Sequence, residues 1–309
     1  MSALLLGVTV LFLHFSEGAR ACMTLQTRPG HSNRPDPAAH IKLVVSDMDG
    51  TLLTPQKQVT HHTLNAITAL RHAGVPVCLV SSRPASGIEM YLEALKLDTP
   101  YGALNGGSIF NPDRSLRSQL TLPTDIVQEA LGLLQGHNID AWLFRGHEWV
   151  ITNAASPYVE PESRAIKQTP NIVPSFKTML AGVGKITASS SNYDAITQQE
   201  AEIGALLKGR ACVAQSAPFY LDITPLNANK GYALHQLADF YGIAPHEVAC
   251  LGDMNNDLPM FKAAGMAIAM GQATQTVKDQ AHFVTAANTA EGWSKAVTEY
   301  ILPRAAKAD

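Results

Sequence analysis

Charge is scarce in this chain. Asp, Glu, Lys and Arg make up 16% of its 309 residues, and the net charge is −3. A binder of nucleic acid polymers needs a basic field, and this composition gives no electrostatic case for one. Cysteine is scarce as well. Cys22, Cys78, Cys212 and Cys250 are scattered, with no pair at metal-ligand spacing. A reducing compartment fits that pattern, with Cys78 and Cys250 acting as small hydrophobes in buried strands. The apolar stretch from Ala3 to Phe15 is too short to span a bilayer comfortably, so no membrane partner is expected. Ala19-Arg20-Ala21 resembles a cleavage site, but no Lys or Arg precedes the apolar part, as a secretory leader requires. A cytoplasmic protein is therefore favoured over an exported one, with translation beginning at Met23 as one explanation. No internal repeat or low-complexity tract is present, and nothing specifies an oligomeric state.

What is present is a hydrophobic content of 46%, enough for a sizeable core, in a length that suggests two domains. Residues 43–53 read Leu-Val-Val-Ser-Asp-Met-Asp-Gly-Thr-Leu-Leu. An apolar run from Ile41 to Val45 ends at two carboxylates, Asp47 and Asp49. Such a run is the signature of a buried parallel strand, and ligands of open α/β sheets bind beyond the carboxyl ends of strands. Two acids this close repel unless a cation or a proton separates them, and Mg²⁺ is the natural cation for hard oxygen ligands. By itself the stretch also reads as a strand followed by a polar turn.

The spacing then predicts a helix from His61 to Ala73, capped by Thr60, a strand over Val75–Val80, a helix over Ser86–Leu95 and a third strand over Tyr101–Leu104. This βαβαβ alternation implies a parallel sheet. From about Leu122 to Ile223 the mix changes. A helix is expected over Asp125–Gln135, a hairpin turns at Arg145-Gly146-His147, and a strand runs over Lys185–Ser189. A helix over Tyr193–Leu207 and a second hairpin, turning at Ser216-Ala217-Pro218, follow. The opening pattern resumes with a helix over Lys230–Tyr241 and a buried strand over Glu247–Leu251, which ends at Gly252-Asp253-Met254-Asn255-Asn256-Asp257. The expected fold class is α/β: a Rossmann-like parallel-sheet core with an inserted α+β cap domain. Residues 1–40 are assigned to a disordered leader and linker, 41–122 with 224–309 to the discontinuous core, and 123–223 to the cap.

Asp-Met-Asp-Gly-Thr-Leu-Leu, the Ser before Arg-Pro, Asn-Lys-Gly-Tyr-Ala-Leu and Gly-Asp-Met-Asn-Asn-Asp-Leu-Pro-Met occur in order. Together they resemble the four motifs of the haloacid dehalogenase (HAD) superfamily of phosphatases, and the insertion resembles its Cof-type subclass IIB. The resemblance implies that Asp47 is the nucleophile and that Asp49 is the general acid and base. That role requires Asp49 to hold a proton in part; burial and neighbouring carboxylates would raise its pKa, and Mg²⁺ would oppose that shift. It also implies Mg²⁺ held by the Asp47 and Asp253 side chains and the Asp49 carbonyl. Ser81, the Ser82 N–H, Lys230 and Asn256 would bind the phosphoryl group. Asp257 would orient Lys230 or bind the metal through water. The family usually carries Thr-Gly-Arg where this chain has Ser-Ser-Arg, so the hydroxyl is kept and the tight loop geometry is less assured.

Asn105 and Gly106 on the Asn-Gly-Gly turn, and Arg145 and His147 on the cap hairpin, are candidate substrate contacts. Trp142 and Trp149 alternate on that hairpin, as cap-core residues do. No Gly-x-Gly-x-x-Gly follows the first strand, so nothing supports a dinucleotide enzyme. The expected activity is Mg²⁺-dependent hydrolysis of small phosphorylated metabolites, such as sugar phosphates, nucleotides or cofactor phosphates, through an aspartyl-phosphate. A phosphotransferase or phosphomutase using the same aspartate, or a non-catalytic phosphometabolite binder, are the alternatives.

Overall fold

Leu43, Val44 and Val45 are apolar and fully buried, and β1 (Leu43–Ser46) exposes no residue on either face. In the computed structural model, which describes residues 40–137 and 139–305, this strand is the pivot of the core. Apart from His40, the expected leader lies outside the described residues. Thr60 caps α1 (His61–His72) by accepting from the Thr63 N–H at 3.1 Å. After α1 come β2 (Val77–Leu79), α2 (Ala85–Leu95), β3 (Tyr101–Ala103), β4 (Ser108–Phe110) and β5 (Leu116–Gln119). The inserted segment supplies α3 (Thr124–Gly136), β6 (Asp140–Arg145), β7 (Glu148–Ile151), α4 (Val159–Ile166) and β8 (Asn171–Ile172). It continues with β9 (Lys185–Ser189), α5 (Tyr193–Leu206), β10 (Cys212–Ala217) and β11 (Tyr220–Thr224). The chain then returns through α6 (Lys230–Tyr241), β12 (Val248–Gly252), α7 (Leu258–Ala263) and β13 (Met266–Ala269). It closes with α8 (Gln275–Lys278), β14 (Phe283–Val284) and α9 (Gly292–Ala296).

Five parallel strands form the core sheet in the order β14-β13-β12-β1-β2. From β1 the chain builds outward to β2 on one side and, much later, to β12, β13 and β14 on the other. The crevice between the carboxyl ends of β1 and β12 is therefore the switch point where such sheets bind ligands. The cap is a six-stranded sheet in the order β10-β11-β9-β6-β7-β8, antiparallel except for β7 with β8. Leu143, Ile186 and Leu221 on one face pack under α3 and α5. Trp142, Phe144 and Trp149 on the other face join a cluster that includes Ile88 and Phe110 of the core. Among the described residues, no helix is long and apolar enough to cross a membrane.

The third expected strand departs from expectation. β3 is not a full third member of the parallel sheet, which it meets through a single bridge between Val80 and Gly102. Its ladder is antiparallel, with β4, and β5 extends the pair to three strands. Leu104, Asn105 and Gly106 all take positive φ, so the chain doubles back at once and β4 pairs along the other edge of β3.

Candidate active site

Asp47 and Asp253 leave the ends of neighbouring strands. Ser46 lies opposite Leu251 in the ladder, and the Asp47 N–H continues it to the Leu251 carbonyl at 3.0 Å. Gly50 has φ +81°, and a Cβ there would lie 2.3 Å from Asp253 Oδ2. Only glycine lets the turn pass this close to the carboxylate. Thr51 Oγ1 donates to Asp253 Oδ1 at 3.2 Å, while Gln272 Nε2 donates to Asp253 Oδ2 at 3.3 Å and to the Gly50 carbonyl at 2.5 Å.

Lys230 is the first residue of α6. Asn229 caps this helix by accepting from the Tyr232 N–H at 3.0 Å. Buried to 2% exposure, the Lys230 ammonium donates to Asp47 Oδ1 and Asp257 Oδ1, both at 2.6 Å. The other Asp257 oxygen accepts from the N–H groups of Asp253 and Met254 at 2.8 and 2.9 Å. Both Asp257 oxygens are thus engaged, which fits the role of orienting Lys230.

Carboxylate oxygens of Asp47, Asp253 and Asp257 lie within 4.8 Å of one another, and all three residues are buried. Burial pushes the Asp47 carboxyl up. Lys230 opposes that shift, while the charges of Asp257 and Asp253 reinforce it. Asp253 is likewise raised by burial and by Asp257. Burial disfavours the charge on Lys230, but Asp257 and Asp47 outweigh it and hold the ammonium above the ordinary lysine range. Three desolvated carboxylates face one ammonium, so the site carries uncompensated negative charge on hard oxygen donors. That donor set fits a divalent cation.

Asp49 behaves differently from expectation. Arg83 grips it with both arms, Nε to Oδ2 at 2.6 Å and Nη2 to Oδ1 at 2.9 Å, and Lys57 Nζ adds a contact at 2.7 Å. Burial alone would raise its pKa, but the hydrogen bonds and charges of Arg83 and then Lys57 win, holding it at about 2. The clamp favours the ionised carboxylate, and the upward shift is not found.

The remaining candidates are placed as follows. Ser81 is buried, its Oγ accepts from the Arg83 N–H at 3.3 Å, and its carbonyl accepts from the Asn105 N–H at 2.8 Å. Ser82 is exposed beside it. Asn256 Nδ2 donates to Asn105 Oδ1 at 3.2 Å, which brings the Asn-Gly-Gly turn to the acidic turn. Gly106, at φ +90°, presses on the start of α6, where a Cβ would lie 2.6 Å from the Asn229 carbonyl. Arg145 and His147 are engaged elsewhere. Arg145 donates to the Ala181 carbonyl at 2.9 Å and pairs with Glu148 at 3.3 Å, and His147 meets Glu89 of α2 at 2.9 Å. Sequence reasoning did not single out Lys57, Arg83, Thr51 or Gln272. Arg83 follows the Ser-Ser pair and could have been found there; Gln272 carries no local signal.

Residues 44–297 match the haloacid dehalogenase-like hydrolases. The chain is 27% identical to the 5-amino-6-(5-phospho-D-ribitylamino)uracil phosphatase YitU of Bacillus subtilis, across 84% of this chain and 97% of that protein. It is 25% identical to the pyridoxal phosphate phosphatase YbhA of Escherichia coli, across 84% and 99%. A solved haloacid dehalogenase-like hydrolase from Bacteroides thetaiotaomicron superposes with a TM-score of 0.77 at 28% identity, covering 84% of this chain and 98% of its own. Likeness of this extent makes the chain a member of the haloacid dehalogenase-like hydrolases, among the phosphatases of that family.

Proposed function

We propose that the protein is a Mg²⁺-dependent phosphatase that hydrolyses small phosphorylated metabolites through an aspartyl-phosphate on Asp47. The observation that carries this reading is the buried contact of Lys230 with Asp47 at 2.6 Å, at the carboxyl ends of adjacent parallel strands. Lys230 fixes one Asp47 oxygen, and the other attacks phosphorus as the ester P–O bond breaks. Asp49 gives a proton to the departing oxygen. In the second half Asp49 takes a proton from water, the water oxygen attacks phosphorus, and inorganic phosphate leaves with Asp47 restored.

Ser81 Oγ and Asn256 hold phosphoryl oxygens, while Lys230 offsets their charge. The side chains of Asp47 and Asp253 and the carbonyl of Asp49 would hold Mg²⁺, which when bound neutralises charge on the transferring group. Phosphoryl transfer asks mainly for positioning and charge cancellation, and the Lys230–Asp257 pair supplies both. For Asp49 to act as the acid, its carboxylate must first leave Arg83 and Lys57 and take up a proton. The activities named for the two relatives, on a ribitylaminouracil phosphate and on pyridoxal phosphate, support a small phosphate ester as substrate.

The test is phosphate release from a panel of phosphorylated metabolites and p-nitrophenyl phosphate, with no added acceptor. Wild type is expected to turn over with Mg²⁺ and fall to background in EDTA. Asp47→Asn is expected to fall to background while keeping its thermal unfolding profile. Full activity in that variant would remove Asp47 as nucleophile, and release that depends on an acceptor alcohol would make the enzyme a transferase.

A further inference from the structure

A hydroxyl in a strand buried on both faces is costly unless it is hydrogen-bonded. Ser46 closes β1 after Leu43, Val44 and Val45, and none of its surface reaches solvent. Its Oγ accepts from the Trp293 indole N–H at 2.9 Å and donates to the Asp47 carbonyl at 2.7 Å. The direction of the pair follows from the chemistry of the groups. An indole nitrogen can only donate, and a serine hydroxyl has one hydrogen. Trp293 therefore occupies a lone pair of Ser46, and the hydrogen of Ser46 is left for the Asp47 carbonyl.

That carbonyl stands where the strand lets go. The Val80 N–H donates to the Ser46 carbonyl at 2.9 Å, and the Asp47 N–H donates to the Leu251 carbonyl at 3.0 Å. Those are the last bonds of β1 toward β2 and β12. The Asp47 carbonyl lies beyond both, in the peptide that leads through Met48 to Asp49. The tilt of that peptide carries both candidate site aspartates, and the Ser46 hydroxyl takes over there from the ladder. Lys230 separately holds one Asp47 carboxylate oxygen at 2.6 Å. Backbone and side chain of Asp47 are thus fixed by different donors.

The indole is itself held in place. Thr285 Oγ1 donates to the Gly292 carbonyl at 2.8 Å, and the Gly292 N–H donates to the Ala287 carbonyl at 3.0 Å. The start of α9 is pressed so hard against the chain that a Cβ on Gly292 would collide with the Ala286 carbonyl. The Trp293 ring packs in the cluster that holds Val44, Met48 and Leu53. Such pairing is not general to the tryptophans of this chain. It has three, all buried, and the indole N–H groups of Trp142 and Trp149 have no hydrogen-bond partner among the described residues. The third is bonded to the residue before Asp47.

We propose that Ser46 and Trp293 are positioning residues for the nucleophile. The indole N–H sets the direction of the Ser46 hydroxyl, and the hydroxyl sets the Asp47–Met48 peptide, so that the free Asp47 oxygen meets phosphorus in line. The inference rests on the phosphatase reading above and deepens it. Both side chains are buried behind the strand end and act through Asp47, not on the substrate. Loss of either therefore spares binding and slows the chemical step, because a reacting atom misplaced by about 1 Å can cost about a hundredfold in rate. Ser46→Ala leaves the indole N–H and the Asp47 carbonyl both unpaired. Trp293→Phe keeps an aromatic body and frees the Ser46 hydroxyl to turn.

The test is hydrolysis of p-nitrophenyl phosphate with Mg²⁺ by wild type, Ser46→Ala, Trp293→Phe and the double variant, with folding checked by circular dichroism. Ser46→Ala is expected to lower kcat by about tenfold or more, with KM within about threefold of wild type. Trp293→Phe is expected to lower kcat by about three- to fivefold with KM likewise kept. The double variant is expected to match Ser46→Ala, because Trp293 acts only through the hydroxyl that Ser46→Ala has already removed. A kcat within about twofold of wild type in both single variants overturns the proposal, as does a loss carried by KM. Losses that multiply in the double variant also overturn it, since Trp293 would then act by packing alone. Where Ser46→Ala does not fold, the kcat and KM of Trp293→Phe decide the matter. A wild type that releases no phosphate from any ester would instead sink the phosphatase reading, and so is told apart.

Discussion

Asp257 and Asp49 show how one residue type takes opposite roles at one sheet end. Asp257 divides its carboxylate between Lys230 and two backbone N–H groups, so both of its oxygens are engaged within the protein. Asp49 stands on the outer turn, in the grip of Arg83 and Lys57. A pKa of about 2, against an ordinary 3.8, means that folding favours the ionised form. The sign follows from linkage: the unfolded chain binds the proton more readily, so this stabilisation is complete above the unfolded pKa and is lost as pH falls through about 2. The expected outcome is read by urea unfolding of wild type and Asp49→Asn in metal-free buffer. The free-energy difference between them should shift against wild type as pH drops from about 5 toward the folded value. A difference that stays constant over that range would remove the clamp.

Elements carry the site as much as residues do. Lys230 stands at the first position of α6, so its reach depends on how well that helix start is held. Asn229 holds it, through the Tyr232 N–H. Asn229→Ala is expected to lower stability by about 1 kcal/mol, read from the denaturant midpoint. It should also lower kcat more than KM, because a frayed first turn misplaces the ammonium. A stability loss with kcat intact would separate the cap from the chemistry. The strands behind these residues were legible because burial on both faces writes an apolar run. β1, β12 and β13 announce themselves that way, and β9 and α6 fall at their expected bounds. α4 was not legible: its Val159-Glu160-Pro161-Glu162-Ser163-Arg164-Ala165-Ile166 buries only its two ends, too little for a 3.6-residue period to show. β8 is two exposed residues, with no pattern at all. The same limit applies to the site. Asp47 and Asp49 share one heptapeptide and could be read locally. The grip on Asp49 comes from Lys57, eight residues on, and Arg83, 34 residues on, and only the fold brings that arginine there.

At the scale of the whole molecule, cap and core meet at a joint with an apolar and a polar part. Its apolar part is shared packing, with Ile166 of α4 against Gly87 of α2 and the Phe110 ring edge-on to His147 at 4.6 Å. Its polar part is a short chain of contacts at one rim. Glu89 of α2 meets His147 at the tip of the β6–β7 hairpin and also accepts from the Tyr101 hydroxyl. Ser86 donates to Gln168 at 2.7 Å, and Gln168 donates to the His147 carbonyl at 2.6 Å. These bonds tie the hairpin tip and the segment after α4 to α2, so they restrain the cap without welding it, as the proposed phosphatase would need if its cap opens for product. Glu89→Ala removes the centre of that rim and leaves the Tyr101 hydroxyl without its acceptor, while Glu89→Gln keeps an oxygen in place. Hydrogen exchange over residues 140–151 is therefore expected to speed up in Glu89→Ala and to stay near wild type in Glu89→Gln, with the β1 and β12 amides unchanged in both. Equal exchange in all three proteins would show that the apolar packing alone holds the cap down. Faster exchange throughout the core sheet would mean that Glu89 supports the fold and not the joint.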